Sequence, residues 1–283
     1  MSCQQYRRRH ATLHGPLALA GALCLVACGR VSFDTVNDGN ECQPCATGEA
    51  CGPTLTCVPA VAATGGLIGY WPLDEAAGAT EFRDLSGNGN TGSCATCPTA
   101  GVPGMRGTAV EFANVGLGDA IGVGTGPSLT TLSSQLTVSG WVKLRAYSSY
   151  DYIVSNDRDC CGTYNGFSLW AAQYGDEPGL QLWNGTATAD LVKGTSRLPL
   201  AEWHLVTSSY DGTEMRIYVD GALVGTSARI GGFSTPPSFE TRIGAMGYDR
   251  IYGIKGVIDE VMIFSRALTS AEIATLYHYY TGS

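Results

Sequence analysis

Apolar and polar residues alternate through residues 203–226, and this alternation predicts three short antiparallel strands. The strands are joined at Asp211-Gly212 and Asp220-Gly221. Asp-Gly favours a type I′ turn because both central residues of that turn need a positive φ angle. A period of two buries one face of each strand and leaves the other face in water. The segment is therefore predicted to be a β-meander at the centre of an antiparallel β protein.

Shorter apolar runs on either side of this meander predict further strands. These runs are residues 67–73, 109–112, 121–123, 136–144, 166–170, 179–183 and 256–264. One helix is predicted at the end of the chain, where Thr269 and Glu272 have the spacing of a capping box. Ile273, Leu276 and Tyr277 then give this helix an apolar stripe.

The composition agrees with many short strands joined by tight turns. The chain has 38 glycines among 283 residues and only 15% charged residues, which argues against a helical bundle. Its formal net charge is −8, and removal of residues 1–27 would take away three arginines and no acidic residue, giving −11. An acidic surface repels phosphate backbones, so we expect no nucleic acid partner.

The first 27 residues have the features of an export signal. Residues 7–9 are arginines, and residues 16–27 form an apolar stretch shorter than the roughly 20 residues that span a bilayer. The stretch ends in LVAC, which resembles the lipobox of bacterial lipoproteins and implies that Cys28 is acylated and becomes the first mature residue. The alternative is an ordinary signal peptide with a chance cysteine.

Gly29 follows Cys28, which by analogy with lipoprotein sorting favours the outer membrane. We therefore predict an exported cell-envelope protein whose lipid anchor holds it at the outer membrane or cell surface. Residues 28–41 are polar and predict a tether. Residues 42–57 hold four cysteines and are too few for a hydrophobic core, so disulfides are expected to hold a small knob. Residues 58–66 predict a linker, and residues 67–283 the main domain.

Eight cysteines remain after residue 28, and an even number in an exported chain predicts disulfides. They are Cys42, Cys45, Cys51, Cys57, Cys94, Cys97, Cys160 and Cys161. The two CxxC pairs could instead hold zinc through four thiolates, but the clustering and the predicted export favour disulfides. Cys160 and Cys161 could bridge each other or staple their loop to Cys94 and Cys97. We expect the staples, because vicinal disulfides are strained.

Five motifs occur in one order over about residues 66–280. They are GLIGYWPLDE, DLSGNGNTG, LTVSGWVKL, WHLVTSSYDGTEMRIYVDG and GVIDEVMIFSRALTSAEIATLY. Together they resemble the LamG-like jelly-roll domain of the concanavalin A-like lectin/glucanase superfamily. This resemblance implies an all-β fold, a two-sheet antiparallel jelly-roll sandwich with its last strand beside the first and one short C-terminal helix. The alternating strands and turn residues predict the same class on their own.

The same resemblance implies a structural calcium ion as the candidate cofactor, because related domains often hold calcium near such loops. The matching residues here are Asp84, Asn88, Asn90 and Asp259. Calcium takes six to eight oxygen ligands, which an Asp/Asn/Gly loop can offer. The alternative is a tight turn in which Asp84 caps backbone amides. The family commonly has Asp after the Phe of its third motif, whereas Ala113 follows Phe112 here, so either Asp119 substitutes or one ligand is missing.

Tyrosines concentrate in four loops of the predicted domain and are candidate sugar platforms, because aromatic rings stack on pyranose faces. They are Tyr147, Tyr150, Tyr164, Tyr174, Tyr248 and Tyr252. The alternative is that these rings cover a β surface and anchor loops.

Catalysis is not predicted. Glucanases of the superfamily carry a Glu-x-Asp-x-x-Glu pattern, which is missing here. Asp259 and Glu260 are adjacent, so strand alternation predicts that they point to opposite faces and cannot flank a scissile bond. His204 and His278 are the histidines beyond residue 28, and both are expected to be structural, which leaves little material for a Ser-His-Asp triad.

We therefore predict a non-catalytic cell-surface binding module whose ligand is a carbohydrate or an extracellular or envelope protein. Two alternatives remain. One is a glycoside hydrolase or lyase of the same fold, and the other is a structural envelope protein without a ligand. Because one fold hosts many functions, the predicted function rests largely on analogy.

Overall fold

The computed structural model describes residues 45–52, 56–113, 118–160, 163–173, 176–186, 189–229, 231–235, 239–247 and 252–282. The predicted signal peptide and tether lie outside the described residues, and so do Cys28, Cys42, Cys161, Tyr174 and Tyr248. Within the described residues, neither helix combines the length and the apolar character that a bilayer span requires.

The described part of the chain contains eighteen strands. The first nine are β1 (Glu49–Cys51), β2 (Cys57–Pro59), β3 (Leu67–Trp71), β4 (Glu81–Phe82), β5 (Gly92–Ser93), β6 (Thr99–Pro103), β7 (Thr108–Phe112), β8 (Ile121–Gly122) and β9 (Leu136–Leu144). The rest are β10 (Tyr150–Cys160), β11 (Thr163–Gln173), β12 (Gly179–Asn184), β13 (Asp190–Lys193), β14 (His204–Tyr210), β15 (Glu214–Val219), β16 (Ala222–Ala228), β17 (Arg242–Ile243) and β18 (Gly256–Phe264). The helices are α1 (Pro127–Thr130) and α2 (Ser270–Thr281), with a 3-10 turn at Ala60–Ala63.

The strands form two large antiparallel sheets. The first sheet has the order β16-β15-β14-β9-β18-β7-β6, and β3 pairs with β18 beside this path. The second sheet has the order β13-β12-β11-β10-β17-β8-β5-β4. Pairing of β3 with β18 places the last strand of the domain beside its first, as the family resemblance implied. The predicted fold class is confirmed: an antiparallel two-sheet sandwich with a short C-terminal helix.

The meander at residues 203–226 is present as β14, β15 and β16. Asp220 and Gly221 both have positive φ, 53° and 78°, as a type I′ turn requires. The other turn differs, because only Gly212 has a positive φ. Asp211 instead accepts the backbone N–H groups of Thr213 and Glu214 at 2.8 Å each, so it acts as a side-chain cap of a wider turn.

One hydrophobic core fills the space between the two sheets. Alternate residues of the strands from both sheets supply it, as a sandwich requires. Its large, fully buried members include Trp71, Phe82, Phe112, Phe167, Leu182, Ile217 and Ile263.

A second apolar layer covers the outer face of the first sheet. Trp141 and Met262 project from this sheet and pack with Val61 near the N-terminal end and Ile273 of α2. The capping box predicted for α2 is confirmed, since Thr269 Oγ1 accepts the Glu272 N–H and Glu272 accepts the Thr269 N–H. Helix α2 and the segment before β3 therefore pack on the same sheet.

Two disulfides are defined among the described residues. Cys45–Cys57 closes the predicted knob and confirms that disulfides hold it. Cys94–Cys97 joins two residues three apart, with their Cα atoms 5.0 Å from each other. The expected staples from Cys94 and Cys97 to Cys160 and Cys161 are therefore wrong. A bend brings the two cysteines of this CxxC pair within disulfide reach.

Candidate functional site

The outer face of the second sheet carries aromatic and polar side chains instead of a purely polar surface. On β11, Phe167 and Leu169 point into the core between the sheets, so the alternating Ser168 and Trp170 lie on the outer face. On β12, Leu182 is in the same core, which places Trp183 on the outer face as well.

Several aromatic side chains and one methionine pack together at one end of this face, and we call them the outer aromatic cluster. It consists of Tyr150, Tyr152, Trp170, Met246 and Tyr252. The Tyr150 and Tyr152 rings are stacked with centroids 5.6 Å apart, and Tyr252 meets Tyr150 edge-on at 4.9 Å. Trp170 is only 1% exposed, whereas Tyr252 is 38% exposed. The cluster thus offers a rigid base with an accessible ring at its edge.

A second aromatic pair lies further along the same strands. Tyr164 of β11 and Trp183 of β12 are in tilted contact, with ring centroids 5.3 Å apart. Trp183 is paired in register with Gly166, which has no side chain to cover the indole. Gly166 is four residues from Trp170 along β11, about 13 Å at the rise of an antiparallel strand.

A polar strip separates the two aromatic groups. Register pairing places Ser155 opposite Ser168, and Asp157 opposite Gly166, between the aromatic groups. Ser155 donates to Asp157 Oδ1 at 2.6 Å and accepts from Ser168 at 3.1 Å. The N–H of Gly247 also donates to Ser155, at 3.0 Å. These buried polar groups fix the strip in one arrangement.

Two indole N–H groups on this face have no hydrogen-bond acceptor. Within the described residues, Nε1 of Trp170 and Nε1 of Trp183 are shielded from solvent and unpartnered. An indole nitrogen can only donate, and buried donors without a partner are uncommon in folded proteins. Because both nitrogens are shielded from solvent, a ligand that lies on this face would contact the aromatic rings and not these N–H groups.

The structure brings three of the six candidate tyrosines to this face, namely Tyr150, Tyr164 and Tyr252. Tyr147 lies elsewhere: its hydroxyl donates to the Leu198 carbonyl at 2.7 Å, which is the loop-anchoring role considered as the alternative. Tyr174 and Tyr248 lie outside the described residues.

Sequence reasoning missed Tyr152, Trp170 and Trp183, which were hidden inside predicted strands rather than loops. The signal that could have found them is the position of each aromatic residue on the outward side of three consecutive strands. Residues 166–170 and 179–183 were both predicted as strands, and in each the outward positions include a tryptophan.

Residues 116–274 match the family model described as the concanavalin A-like lectin/glucanases superfamily, which covers more than half of the chain. The chain belongs to this superfamily. A comparison with curated proteins finds no match.

Solved structures of the superfamily fold resemble this domain at low sequence identity. Domain 4 of AbnA, a GH43 extracellular arabinanase from Geobacillus stearothermophilus in complex with arabinotriose, matches with a TM-score of 0.58 and 18% identity, over 75% of this chain and 98% of that one. The binding domain of Paraclostridial Mosquitocidal Protein 1 matches at 0.55 and 15%, over 79% of this chain and 54% of its own. The binding domain of Botulinum Neurotoxin DC in complex with SialylT matches at 0.56 and 13%, over 78% and 52%. This chain spans about half the length of the two toxin domains, and these identities show a shared fold alone.

In the loop that was expected to bind calcium, the side chains already form hydrogen bonds with other groups of the protein. Asp84 Oδ1 accepts the N–H groups of Tyr70 and Ser86, and Oδ2 accepts the Asn90 N–H and the Ser86 hydroxyl. All four lone-pair positions of the Asp84 carboxylate are therefore occupied. Asn88 and Asn90 donate to the carbonyls of Leu67 and Ile68. This geometry does not fit a cation at Asp84 and favours the amide-capping alternative.

Asp259, the fourth predicted calcium ligand, lies in a different hydrogen-bond network. Its Oδ2 accepts the N–H groups of Met105 and Arg106 at 2.8 and 3.2 Å. Its Oδ1 is buried and has no partner within the described part of the chain. Among these residues, one group of three His, Cys, Asp or Glu side chains could converge on a metal, Cys45, Glu49 and Cys57, and its two thiols form a disulfide.

The expectation that Asp259 and Glu260 alternate across β18 is wrong. The register of β18 against β9 shifts between Asp259 and Met262, and Glu260 has a φ of 53°. This bulge interrupts the period of two. Glu260 accepts the hydroxyls of Tyr70 and Tyr280 at 2.6 and 2.7 Å. Burial, together with repulsion from Glu260, raises the pKa of Asp259 to about 9, and burial raises the pKa of Glu260 to about 7.

Proposed function

We propose that this superfamily domain is a non-catalytic carbohydrate-binding module, and that the outer face of the second sheet is its binding surface. The observation that supports this proposal is the presence of two aromatic groups on one sheet face. Sugar rings stack on aromatic faces, so this surface suits a carbohydrate.

The spacing favours an oligosaccharide over a single sugar. The outer aromatic cluster and the Tyr164–Trp183 pair are separated by about four residues of strand, roughly 13 Å. A chain of several sugar rings would reach both groups and cross the polar strip between them. The arabinanase domain bound to arabinotriose and the toxin domain bound to SialylT support a carbohydrate ligand by analogy of fold.

Trp183→Ala and Tyr252→Ala are each expected to weaken glycan binding at least about tenfold, which corresponds to about 1.4 kcal/mol. A glycan array would first select the ligand, and affinity electrophoresis would then compare the variants. Trp203→Ala serves as the matched control, because Trp203 contacts Lys143 of the first sheet instead of the outer face.

Two results of this experiment would contradict the proposal. One is that no glycan binds the wild-type protein while an extracellular protein does. The other is that Trp203→Ala weakens binding as much as the outer-face variants. Repeating the array with EDTA tests calcium separately, since loss of binding on chelation would support a calcium-dependent site.

The enzyme alternative has less support. The buried Asp259 and Glu260 lie in β18 of the first sheet, not at the aromatic face of the second sheet. Turnover on a panel of polysaccharides would favour a glycoside hydrolase or lyase over a binding module. The ligand-free alternative predicts no face with convergent aromatic and polar groups, and the outer face of the second sheet carries both.

Export and lipid anchoring at Cys28 are part of the proposal. They rest on the LVAC sequence after a short apolar stretch. In a bacterial host, Cys28→Ala is expected to abolish incorporation of labelled fatty acid and to release the protein from the membrane fraction. Cys24→Ala, which removes a cysteine a few residues earlier, should leave both unchanged. Labelling of the Cys28→Ala protein would contradict the anchor site.

A further inference from the structure

A CxxC disulfide lies on the connection between the two sheets. Cys94 follows β5 of the second sheet, Cys97 precedes β6 of the first sheet, and the bond joins these residues, which are three apart in sequence. Residues 95–97 of the connection are exposed. None of these residues belongs to the aromatic groups of the proposed carbohydrate face. The disulfide is therefore a separate candidate site.

Strand pairing on both sides holds this connection in place without the disulfide. Before the bond, Ser93 of β5 pairs with Glu81 of β4 and with Gly122 of β8. After it, β6 pairs with β7 along Thr99–Pro103. A disulfide stabilises a fold more when it closes a longer loop, and this bond spans three residues where Cys45–Cys57 spans twelve. Opening it is therefore expected to leave the sandwich folded.

The two cysteines of the bond differ in accessibility. Cys94 is partly buried and packs against the core between the sheets. Its N–H donates to the Thr80 carbonyl at 3.3 Å, and its Sγ lies 3.7 Å from the same oxygen. Cys97 is exposed. An incoming reagent therefore reaches Cys97 first, while Cys94 is held in place by its neighbours.

The segment that carries the disulfide has no charge of its own. Residues 91–103 contain no acidic or basic side chain, in a chain whose formal charge is −8. A thiolate is the attacking group in thiol–disulfide exchange, and exposed disulfides are the ones that exchange readily. A thiolate that approaches residues 95–97 meets no fixed charge on this segment, so accessibility and charge both favour exchange here.

We propose that Cys94–Cys97 is a thiol–disulfide exchange site that a thiolate, from a small thiol or from a protein cysteine, attacks at Cys97. The thiolate forms a bond to Sγ of Cys97 while the bond between the two Sγ atoms breaks. The electron pair leaves on Sγ of Cys94, which takes a proton from water and can then donate to the Thr80 carbonyl.

A second thiolate completes the exchange. It attacks the sulfur of the first thiol in the mixed disulfide, and Sγ of Cys97 leaves with the electron pair and takes a proton. Two thiols are thereby oxidised to one disulfide, and Cys94 and Cys97 are reduced to two thiols. Alternatively, Cys94 attacks the mixed disulfide, releases the first thiol and restores the original bond.

The first test places the oxidised full chain in glutathione buffers with an increasing ratio of reduced to oxidised glutathione. Free thiols are then alkylated, and mass spectrometry of the peptides measures the reduction of each disulfide. Cys94–Cys97 is expected to be half reduced at a ratio at least about tenfold lower than Cys45–Cys57 requires. Circular dichroism of the same samples should keep the native β spectrum, because strand pairing holds the connection.

The second test locates the attacked sulfur. In Cys94→Ser no second thiol can displace the adduct, so oxidised glutathione is expected to leave a stable mixed disulfide on Cys97. In Cys97→Ser the partly buried Cys94 remains, and its adduct should form at least about fivefold more slowly. Thr96→Ala, in the same bend, is the matched control and should keep the wild-type midpoint of reduction.

A third arm replaces glutathione with reduced thioredoxin as a protein dithiol. Opening of Cys94–Cys97 by glutathione alone would identify a small thiol as the reactant, and opening by thioredoxin alone would identify a protein thiol. Both results support an exchange site.

Three results would overturn the proposal. The first is reduction of Cys45–Cys57 at the same or a lower ratio than Cys94–Cys97, with either reductant. The second is an adduct that forms faster on Cys94 than on Cys97, and the third is loss of the β spectrum as Cys94–Cys97 opens. The titration of the wild-type protein needs no variant, so it decides the proposal even if a variant fails to fold. None of these measurements involves glycan binding, so failure of the carbohydrate proposal and failure of this one can be told apart.

Discussion

Replacing Asp84 with alanine is expected to lower the free energy of unfolding by about 4 kcal/mol. The carboxylate accepts three backbone N–H groups and one hydroxyl, and it is buried. Removing it leaves all four donors without an acceptor in a site that water does not readily reach. Urea denaturation of wild type and variant would measure the difference.

Two comparisons show whether the carboxylate acts by capping amides. Asp84→Asn keeps one acceptor oxygen, so its loss of stability should be clearly smaller than that of Asp84→Ala. The exposed Asp176→Ala should change the stability by no more than about 0.5 kcal/mol. EDTA is expected to leave the wild-type midpoint unchanged. If EDTA destabilised wild type but not Asp84→Ala, calcium coordination at this loop would replace amide capping as the explanation.

Raising the pH from 5 to 8 is expected to lower the free energy of unfolding by an amount on the order of 4 kcal/mol from Asp259 alone. Burial and the neighbouring Glu260 raise the pKa of Asp259 to about 9, and burial raises that of Glu260 to about 7. Above about pH 4 the unfolded chain has lost these protons while the native protein keeps them. The native state binds more protons, so stability falls with each pH unit until the native groups titrate.

Asp259→Asn is expected to flatten this pH dependence, because a neutral amide can still accept the Met105 and Arg106 N–H groups. Glu260→Gln keeps an acceptor oxygen for Tyr70 and Tyr280. Combining it with Asp259→Asn should make the stability still less dependent on pH. Glu202→Gln, which removes an exposed carboxyl, should preserve the slope. Thermal unfolding at intervals between pH 5 and pH 9 provides the measurement. A stability that rises over this range in wild type would contradict the buried, protonated pair.

The sandwich was predictable because strand alternation and turn residues are local signals. The meander at residues 203–226 has both, and the family motifs supplied the pairing of β3 with β18, which alternation cannot give. Asp220-Gly221 adopts the predicted turn. Asp211-Gly212 does not, because the Asp211 side chain takes the amides of Thr213 and Glu214. Here a side-chain hydrogen bond outweighed the dipeptide preference.

The sites were less predictable because they depend on distances between segments. The predicted alternation of side chains across β18 breaks down at Glu260. This non-glycine residue has a positive φ, and no sequence signal marks it as a bulge. The pairing of Cys94 with Cys97 depends on a bend whose Cα distance is not encoded in the spacing alone. Trp170 and Trp183 converge only once β11 and β12 are placed side by side in register.

The first described residues of the chain are attached to the outer face of the first sheet. Glu49 of β1 is held by Arg106 and by the Tyr279 hydroxyl of α2, and Val61 is buried against the same sheet as α2. The chain therefore enters the domain on the outer face of the first sheet, while the aromatic face belongs to the second. Because the two outer faces lie on opposite sides of the sandwich, a long polymer could lie across the aromatic face without displacing the contacts of Glu49 and Val61.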